Sequence, residues 1–225
     1  NLRVFMGKIV NHELFSLPSH EVDRYFGYEI DQIEQKLLSS ARDLRPDGTM
    51  DNFGEVLHEG HQTWVGLDPQ ILNTPYPELE ELCHLLSPKA GELVIDIGAG
   101  YGRLGLVLNM LYANSHFLGY ELVKERVEEG NRVFQLNNCK NARLMQQDLT
   151  DSHFELPDAK FYFLYDYGKV SHIRQTLKQI EQKTEKLRFK VVARGKGSRS
   201  IIEHEHPWLC ISPVHHEENF SIYSF

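Results

Sequence analysis

The stretch VIDIGAGYGRLGL, residues 94–106, contains one acid, Asp96, and glycines at alternate positions, Gly98, Gly100 and Gly102. The apolar residues around Asp96 predict a buried strand, and the residues after Gly102 predict a helix. Glycine allows a tight turn and lets a ligand approach the backbone, and the N-terminus of the following helix offers unbonded N–H groups. The sequence therefore predicts that this turn binds a ligand of the nucleotide type.

Strands and helices alternate from about residue 77 onward. The pattern predicts further strands at HFLGYE (116–121), ARLMQQ (142–147), KFYFLYD (160–166) and FKVVARG (189–195), with helices between them. The end of the chain, WLCISPVHHEENFSIYSF (208–225), predicts two strands joined by a polar turn. The expected fold class is α/β: a doubly wound, seven-stranded, mostly parallel sheet with an antiparallel C-terminal hairpin.

The N-terminal part of the chain has a different pattern. Residues 19–44 carry apolar side chains at helical spacing, with Ser19 as the expected N-cap, and residues 45–76 are rich in Gly, Asp, Asn and Pro. We therefore expect an N-terminal helical extension and loop over residues 1–72 and a ligand-binding domain over residues 73–225. A loop of this length is usually functional, so residues 46–76 are expected to become ordered when the ligand binds.

Composition limits the class of protein. The 225 residues carry a formal net charge of -8, which argues against a non-specific nucleic-acid binder. No apolar run is long enough to span a bilayer, and the start of the chain lacks a signal-peptide core. The three cysteines form no CxxC pair, so we expect a reducing, cytoplasmic setting. The sequence does not fix the oligomeric state.

The glycine turn fits a dinucleotide fingerprint poorly. A GxGxxG motif that starts at Gly98 would need a third glycine where the sequence has Arg103. A motif that starts at Gly100 finds Gly102 and Gly105, but it begins too late after the strand. The sequence therefore does not favour a nicotinamide cofactor.

The spacing Asp96-x-Gly98-x-Gly100-x-Gly102 instead resembles motif I of class I, seven-strand S-adenosylmethionine-dependent methyltransferases, and the resemblance spans residues 72–225. It implies a Rossmann-like methyltransferase fold, whose reversed seventh strand agrees with the predicted hairpin, and S-adenosyl-L-methionine as the cofactor. The implied cofactor-binding residues are Asp96, Gly98, Ala99, Gly100, Tyr101 and Gly102 for the methionine end, Glu121 and Leu122 for the ribose, and Asp148 and Leu149 for the adenine.

A second similarity lies upstream, at Thr74-Pro75-Tyr76. Several seven-strand protein-lysine methyltransferases have a similar segment, and the resemblance implies that Thr74 and Tyr76 close over the methionine end of the cofactor. The same residues also suit a helix start, with Thr74 as the N-cap and Pro75 in the first turn. Both interpretations stay open at this stage.

The fourth strand ends in FLYDYG, which places Asp166 and Tyr167 where related amino-methylating enzymes have an Asn or Asp, two prolines and an aromatic residue. The prolines are missing here. Asp166 and Tyr167 are the candidate catalytic residues, because a carboxylate or a phenol can assist deprotonation of an amine.

The leading prediction for the acceptor is a protein lysine or similar amine, which suits an acidic protein better than a phosphate backbone does. Two alternatives remain: a methyltransferase of small molecules or of RNA, and a non-catalytic domain that binds the cofactor and serves a partner. The histidine pairs His58/His61, His204/His206 and His215/His216 match no metal-ligand spacing, so we expect no metal site.

Overall fold

The computed structural model describes residues 11–44 and 61–225, and its centre is one seven-stranded sheet. The strands are β1 (Leu93–Ile97), β2 (His116–Glu121), β3 (Ala142–Gln146), β4 (Phe161–Tyr165), β5 (Lys190–Arg194), β6 (His215–His216) and β7 (Phe220–Ser224). Their order is β3-β2-β1-β4-β5-β7-β6. Strands β1 to β5 are parallel, whereas β7 runs antiparallel to both β5 and β6. The predicted fold class and its C-terminal hairpin are confirmed.

Helices cover both faces of the sheet. They are α1 (Asn11–Phe15), α2 (Ser19–Phe26), α3 (Ile30–Leu44), α4 (Pro69–Leu72), α5 (Tyr76–Leu86), α6 (Arg103–Leu111), α7 (Lys124–Leu136), α8 (Val170–Glu181) and α9 (Lys196–Glu205), with a 3₁₀ turn at Pro207–Cys210. Within residues 11–44 and 61–225, every helix is too short or too polar to cross a membrane.

The central strands are apolar along their whole length because both of their faces are buried. On β1, Val94 packs into the core on one face of the sheet and Ile95 packs into the core on the other. Asp96 is the exception on this strand, and it pairs in register with Gly119 of β2 and Phe163 of β4. The strand order reverses at β1, with β2 on one side and β4 on the other, and the carboxyl ends of such strands are where open α/β sheets bind ligands.

The N-terminal helical region differs from the predicted one in two details. The helical pattern of residues 19–44 is split into α2 and α3 at Gly27, whose φ of 86° ends α2 in the left-handed conformation. Ser19 is not the N-cap, because Pro18 occupies that position and Ser19 is already helical. The Ser19 hydroxyl instead accepts a hydrogen bond from the backbone N–H of Tyr76 at 3.5 Å.

The N-terminal helices share a core with the sheet. Phe15, Val22 and Phe26 are buried in the same cluster as Val94 of β1 and Leu104 of α6. Residues 11–44 therefore pack as a part of the sheet's own layer structure. The domain boundary at residue 72 stays a prediction.

Two buried ion pairs join these helices to the sheet. The Arg103 guanidinium bonds both carboxylate oxygens of Asp23, with Nε to Oδ1 at 2.9 Å, and the Tyr76 hydroxyl donates to the same Oδ1 at 2.8 Å. Arg126 donates from Nε to Glu34 Oε1 at 2.8 Å and from Nη2 to Oε2 at 3.1 Å. All four charged side chains are buried. Separating either pair would therefore leave a buried charge without its counter-charge, at a cost in stability.

We expect Asp23→Ala to lower the free energy of unfolding by about 3–5 kcal/mol, because it leaves Arg103 buried without a counter-charge. Urea denaturation measures the change. Glu205→Ala is the matched control: it breaks the exposed pair between Arg174 and Glu205, which should cost less than about 1 kcal/mol. Equal losses in the two variants would show that the buried pair does not hold the N-terminal helices to the sheet.

Candidate functional site

The glycine turn after β1 adopts a conformation that other residues rarely adopt. Gly98, Gly100 and Gly102 have φ values of 78°, 54° and 76°. The backbone N–H groups of Gly98 and Ala99 donate to the Tyr120 carbonyl at 3.0 and 2.9 Å, which fixes the turn to β2. The turn is therefore a rigid piece of backbone at the carboxyl edge of the sheet.

At two of these positions, neighbouring side chains of the protein leave no room for a residue larger than glycine. A Cβ on Gly98 would lie 2.4 Å from the Cβ of Tyr167, and one on Gly102 would lie 2.8 Å from the Phe134 ring. Among the described residues, a Cβ on Gly100 would meet only the side-chain oxygen of Asn73, at 3.0 Å. Gly98 and Gly102 are therefore needed for packing within the protein, and the cofactor contact of the three glycines stays a prediction.

Two cavities lie at the carboxyl ends of the strands. The larger, of about 240 Å³, is lined by seven of the predicted residues: Gly98, Glu121, Leu122, Asp148, Leu149, Asp166 and Tyr167. The smaller, of about 40 Å³, is lined by four more: Thr74, Asp96, Ala99 and Gly100. Leu72 and Tyr165 border both cavities. The fold thus brings residues from four strand ends around two neighbouring cavities.

Tyr76, Tyr101 and Gly102 lie outside these cavities. The Tyr76 and Tyr101 rings are fully buried, and their hydroxyls bond to Asp23 and Glu34. Both tyrosines belong to the core, so we no longer assign them a contact with the cofactor.

Thr74 is not a helix cap, because the N-cap position of α5 is occupied by Pro75, which makes no side-chain hydrogen bond to the helix. Of the predicted Thr74-Pro75-Tyr76 site, only Thr74 borders a cavity.

Asp96 is the most unusual acid of the site. It is 5% exposed, and its carboxyl forms no hydrogen bond with any residue in the described part of the chain. Burial, together with the negative charge of Glu121, raises the Asp96 pKa from 3.8 to about 8. A buried carboxyl group of this kind is stabilised by a cationic group placed beside it.

Glu121, at the end of β2, is held by backbone donors. Its Oε2 accepts from the Gly100 N–H at 3.0 Å, and its Oε1 accepts from the Val123 N–H at 2.9 Å. Each oxygen keeps a further lone pair. Glu121 can therefore accept two more hydrogen bonds, such as those of a pair of hydroxyls, from the larger cavity that it lines.

Asp148 follows β3 and has one oxygen already saturated. Its Oδ1 accepts from the backbone N–H and the hydroxyl of Thr150, at 2.8 and 2.7 Å. Its Oδ2 lies 3.2 Å from Nε2 of His61. Burial by itself would raise the Asp148 pKa, but the hydrogen bonds from Thr150, together with the charges of His61 and His172, outweigh that effect and hold the pKa below its usual value.

The predicted catalytic pair is engaged elsewhere. The Asp166 carboxylate accepts the backbone N–H groups of Ser198 at 2.6 Å and Gly197 at 3.1 Å, and so caps the N-terminus of α9. The Tyr167 hydroxyl donates to the His172 carbonyl at 2.9 Å and contacts the Thr176 hydroxyl, and burial raises the Tyr167 pKa well above its usual value. These contacts give both residues structural roles, so we withdraw the catalytic assignment.

The larger cavity is also lined by residues that sequence reasoning did not assign. They are His61, Gln62, Thr63, Trp64, Leu67, Ile71, Leu72, Tyr120, Arg126, Gln147, Thr150, Tyr165, Gly168 and His172. The rings of His61 and His172 lie 5.4 Å apart although the two residues are far apart in sequence. No local signal marks His172, and His61 stood out only as one of several histidine pairs.

Metal binding finds no support in the described ranges. Residues 11–44 and 61–225 contain no group of three or more His, Cys, Asp or Glu side chains that could hold a metal ion. His58 and the first half of the predicted loop, residues 45–60, lie outside the described residues.

Solved structures resemble this architecture. An RNA methyltransferase from Salinibacter ruber, in complex with S-adenosyl-L-homocysteine, superimposes with a TM-score of 0.50 at 17% identity, over 68% of this chain and 92% of that one. A precorrin-6Y C5,15-methyltransferase from Geobacter metallireducens gives 0.54 at 14% identity, over 69% and 91%. The chain has the fold of these methyltransferases.

The C-terminal domain of the Rhodobacter capsulatus precorrin-6Y C5,15-methyltransferase agrees, with a TM-score of 0.50 at 18% identity over 70% of this chain and 91% of that one. Neither protein-family models nor curated sequences give a match. At such low identities the likeness shows the fold, and the reaction has to be argued from the site.

The raised pKa of Asp96 gives a prediction for stability. Between pH 3.8 and about 8, the folded chain holds a proton at Asp96 that the unfolded chain has lost, so this group's contribution to stability falls as the pH rises through that range. Asp96→Asn removes the contribution. We expect the variant to gain at least about 1 kcal/mol over the wild type near pH 9 and much less near pH 4.

Thermal unfolding of both proteins at the two pH values measures this difference. Asp31→Asn, at an exposed position of α3, is the matched control. A gain for Asp96→Asn that is the same at both pH values would show that Asp96 is ionised throughout.

The capping role of Asp166 gives a second prediction. Asp166→Asn keeps the side chain's shape but replaces one of the two acceptors of α9 with a donor. We expect a loss of about 1 kcal/mol of stability and a change in turnover well below the roughly 10²–10⁴-fold of a positioned acid or base. Urea denaturation and single-turnover methyl transfer measure the two effects. A large loss of turnover with full stability would restore the catalytic assignment.

Proposed function

We propose that this chain is an S-adenosylmethionine-dependent methyltransferase. The observation that carries the proposal is the buried Asp96 carboxyl, which has no hydrogen-bond partner in the described residues and borders a cavity at the glycine turn. Glu121 and Asp148 add two more acids to the same region. S-adenosylmethionine carries an ammonium and a sulfonium group, whereas the pyrophosphate of a dinucleotide is anionic. The acids therefore favour the former ligand over the latter.

The residues present fit this cofactor at each end. Asp96 would face the ammonium group, beside the backbone of Gly100. Glu121 would accept the ribose hydroxyls, since each of its oxygens has a lone pair left after its backbone bond. Asp148 would accept the adenine amino group, with Leu122 and Leu149 as apolar neighbours. When bound, the cofactor supplies a methyl group on a positively charged sulfur.

The protein's own contribution to such a reaction is to position the two reacting groups. A displacement in line with the breaking bond depends mainly on alignment of the two reacting groups. The turn after β1 is fixed to β2 by two backbone hydrogen bonds to Tyr120. Above it, the Tyr165 hydroxyl donates to the Ile71 carbonyl at 3.1 Å and holds residues 69–72 over the cavities. These contacts restrict where a cofactor and an acceptor can lie.

For the acceptor we propose an amine, with protein lysine as the leading candidate. The net charge of -8 favours a basic partner. Trp64 and Ile71 are 40% and 58% exposed and also line the cavity, so they offer aromatic and apolar surface to a long side chain that ends in an amine. With Asp166 and Tyr167 engaged, the amine would lose its proton to water.

Methyl incorporation from labelled S-adenosylmethionine into cell-extract fractions tests this proposal. We expect label in the protein fraction, on lysine. Label in RNA or in small molecules would support methyltransferase activity but show that the acceptor is not a protein lysine. Tight cofactor binding without label in any fraction would leave a cofactor-binding domain without catalysis.

A variant of Glu121 tests the proposed cofactor-binding site. We expect Glu121→Ala to weaken binding of S-adenosylmethionine and S-adenosylhomocysteine by about 2–3 kcal/mol, as for hydrogen bonds to a charged group. Calorimetry measures the change, with unfolding curves to confirm that the variant folds. Glu128→Ala removes an exposed acid of α7 and should bind as the wild type does. Tight binding of NAD by the wild type, with no response to S-adenosylmethionine, would refute the proposed cofactor.

A further inference from the structure

The Asp148 oxygen that Thr150 leaves free lies beside a histidine of the same chain, His61. Because Thr150 donates twice to Oδ1, a ligand that needs Asp148 has to bond mainly through Oδ2. That oxygen lies 3.2 Å from Nε2 of His61. The His61 side chain is 20% exposed and its ring also contacts His172. A ring nitrogen of the chain thus occupies the place that a donor from a ligand would take.

The segment that carries His61 covers the larger cavity. Residues 61–64 and Leu67 all line it. The Thr63 carbonyl accepts from Nη1 of Arg126 at 2.7 Å, which anchors the segment to α7. The Thr63 hydroxyl, in contrast, is buried without a hydrogen-bond partner in the described residues. A buried hydroxyl without a hydrogen bond is costly, so this segment carries an unsatisfied polar group next to the cavity.

We propose that His61 competes with the adenine amino group for Asp148, so that cofactor binding requires His61 to release this acid. The inference rests on the proposed function. The His61 ring would occupy the place of the ligand's amino group beside the carboxylate while the site is empty. The cost of breaking this contact then lowers the affinity for the cofactor.

Two variants of His61 test the competition. His61→Phe keeps an aromatic ring and His61→Ala removes it, and both remove the ring nitrogen that lies beside Oδ2 of Asp148. We expect both to bind S-adenosylhomocysteine roughly two- to fivefold more tightly than the wild type, which is the range of a partly exposed ion pair. Calorimetry gives the affinities, and unfolding curves confirm that the variants fold.

The deaminated analogue S-inosylhomocysteine makes the test specific. It lacks the amino donor, so freeing Asp148 should leave its affinity unchanged within error. His153→Phe is the matched control, because His153 and Asp151 form a similar contact at 3.2 Å on the exposed side of the neighbouring turn. This variant should bind both ligands as the wild type does.

Three results would overturn the inference, and they separate it from the proposed function. Weaker S-adenosylhomocysteine binding in both His61 variants would make His61 a part of the binding site. Equal gains for both ligands would show a general opening of the cavity. In either case the proposed cofactor stands. Failure of wild type and variants alike to bind S-adenosylhomocysteine would overturn both proposals together.

Discussion

A guanidinium group that leaves water needs a carboxylate to neutralise it and acceptors for its remaining N–H groups. Arg103 and Arg126 are both buried, and each lies on a helix that follows a turn of the site. Asp23 and Glu34, from the N-terminal helices, supply the charges. Backbone carbonyls of residues 63 and 74 supply further acceptors. Each arginine thus joins an N-terminal helix, the segment above the cavities and the sheet layer, and the position of that segment depends on both pairs.

This arrangement also decides the charge of the site. The positive charge of Arg126 is already matched by Glu34, with which it forms two hydrogen bonds. Glu121 and Asp148 therefore leave an excess of negative charge around the larger cavity. Burial, together with the negative charge of Glu121, raises the Asp96 pKa to about 8, so Asp96 adds its charge when a cationic group lies beside it. A site of this kind stabilises a cationic ligand, and it disfavours a pyrophosphate or a nucleic-acid backbone.

The strands and the ligand-binding edge could be predicted from the sequence because their signals are local. Apolar runs mark the strands, and an acid directly after such a run, as with Glu121, must lie at the carboxyl edge. Asp166 has the same local pattern, yet its carboxylate caps a helix that begins about thirty residues later. Tyr76 follows a suggestive Thr-Pro pair, yet its hydroxyl bonds to Asp23 on a distant helix. Neither partner is visible from the surrounding sequence, so local pattern could not distinguish a catalytic side chain from a structural one.

The two halves of the site also differ in how far local sequence pattern predicts them. The proposed cofactor half is built from strand ends, which any chain of this fold presents in the same places. The proposed acceptor half is built from residues 61–72, which the two arginines and Tyr165 hold in position. In this segment His61 contacts the proposed adenine acceptor, while Trp64 and Ile71 form the exposed rim. Because His61 and this rim lie on one short segment, a backbone movement that frees Asp148 would also displace the rim. Under the proposed function, binding of the cofactor and binding of the acceptor would then be coupled through this segment.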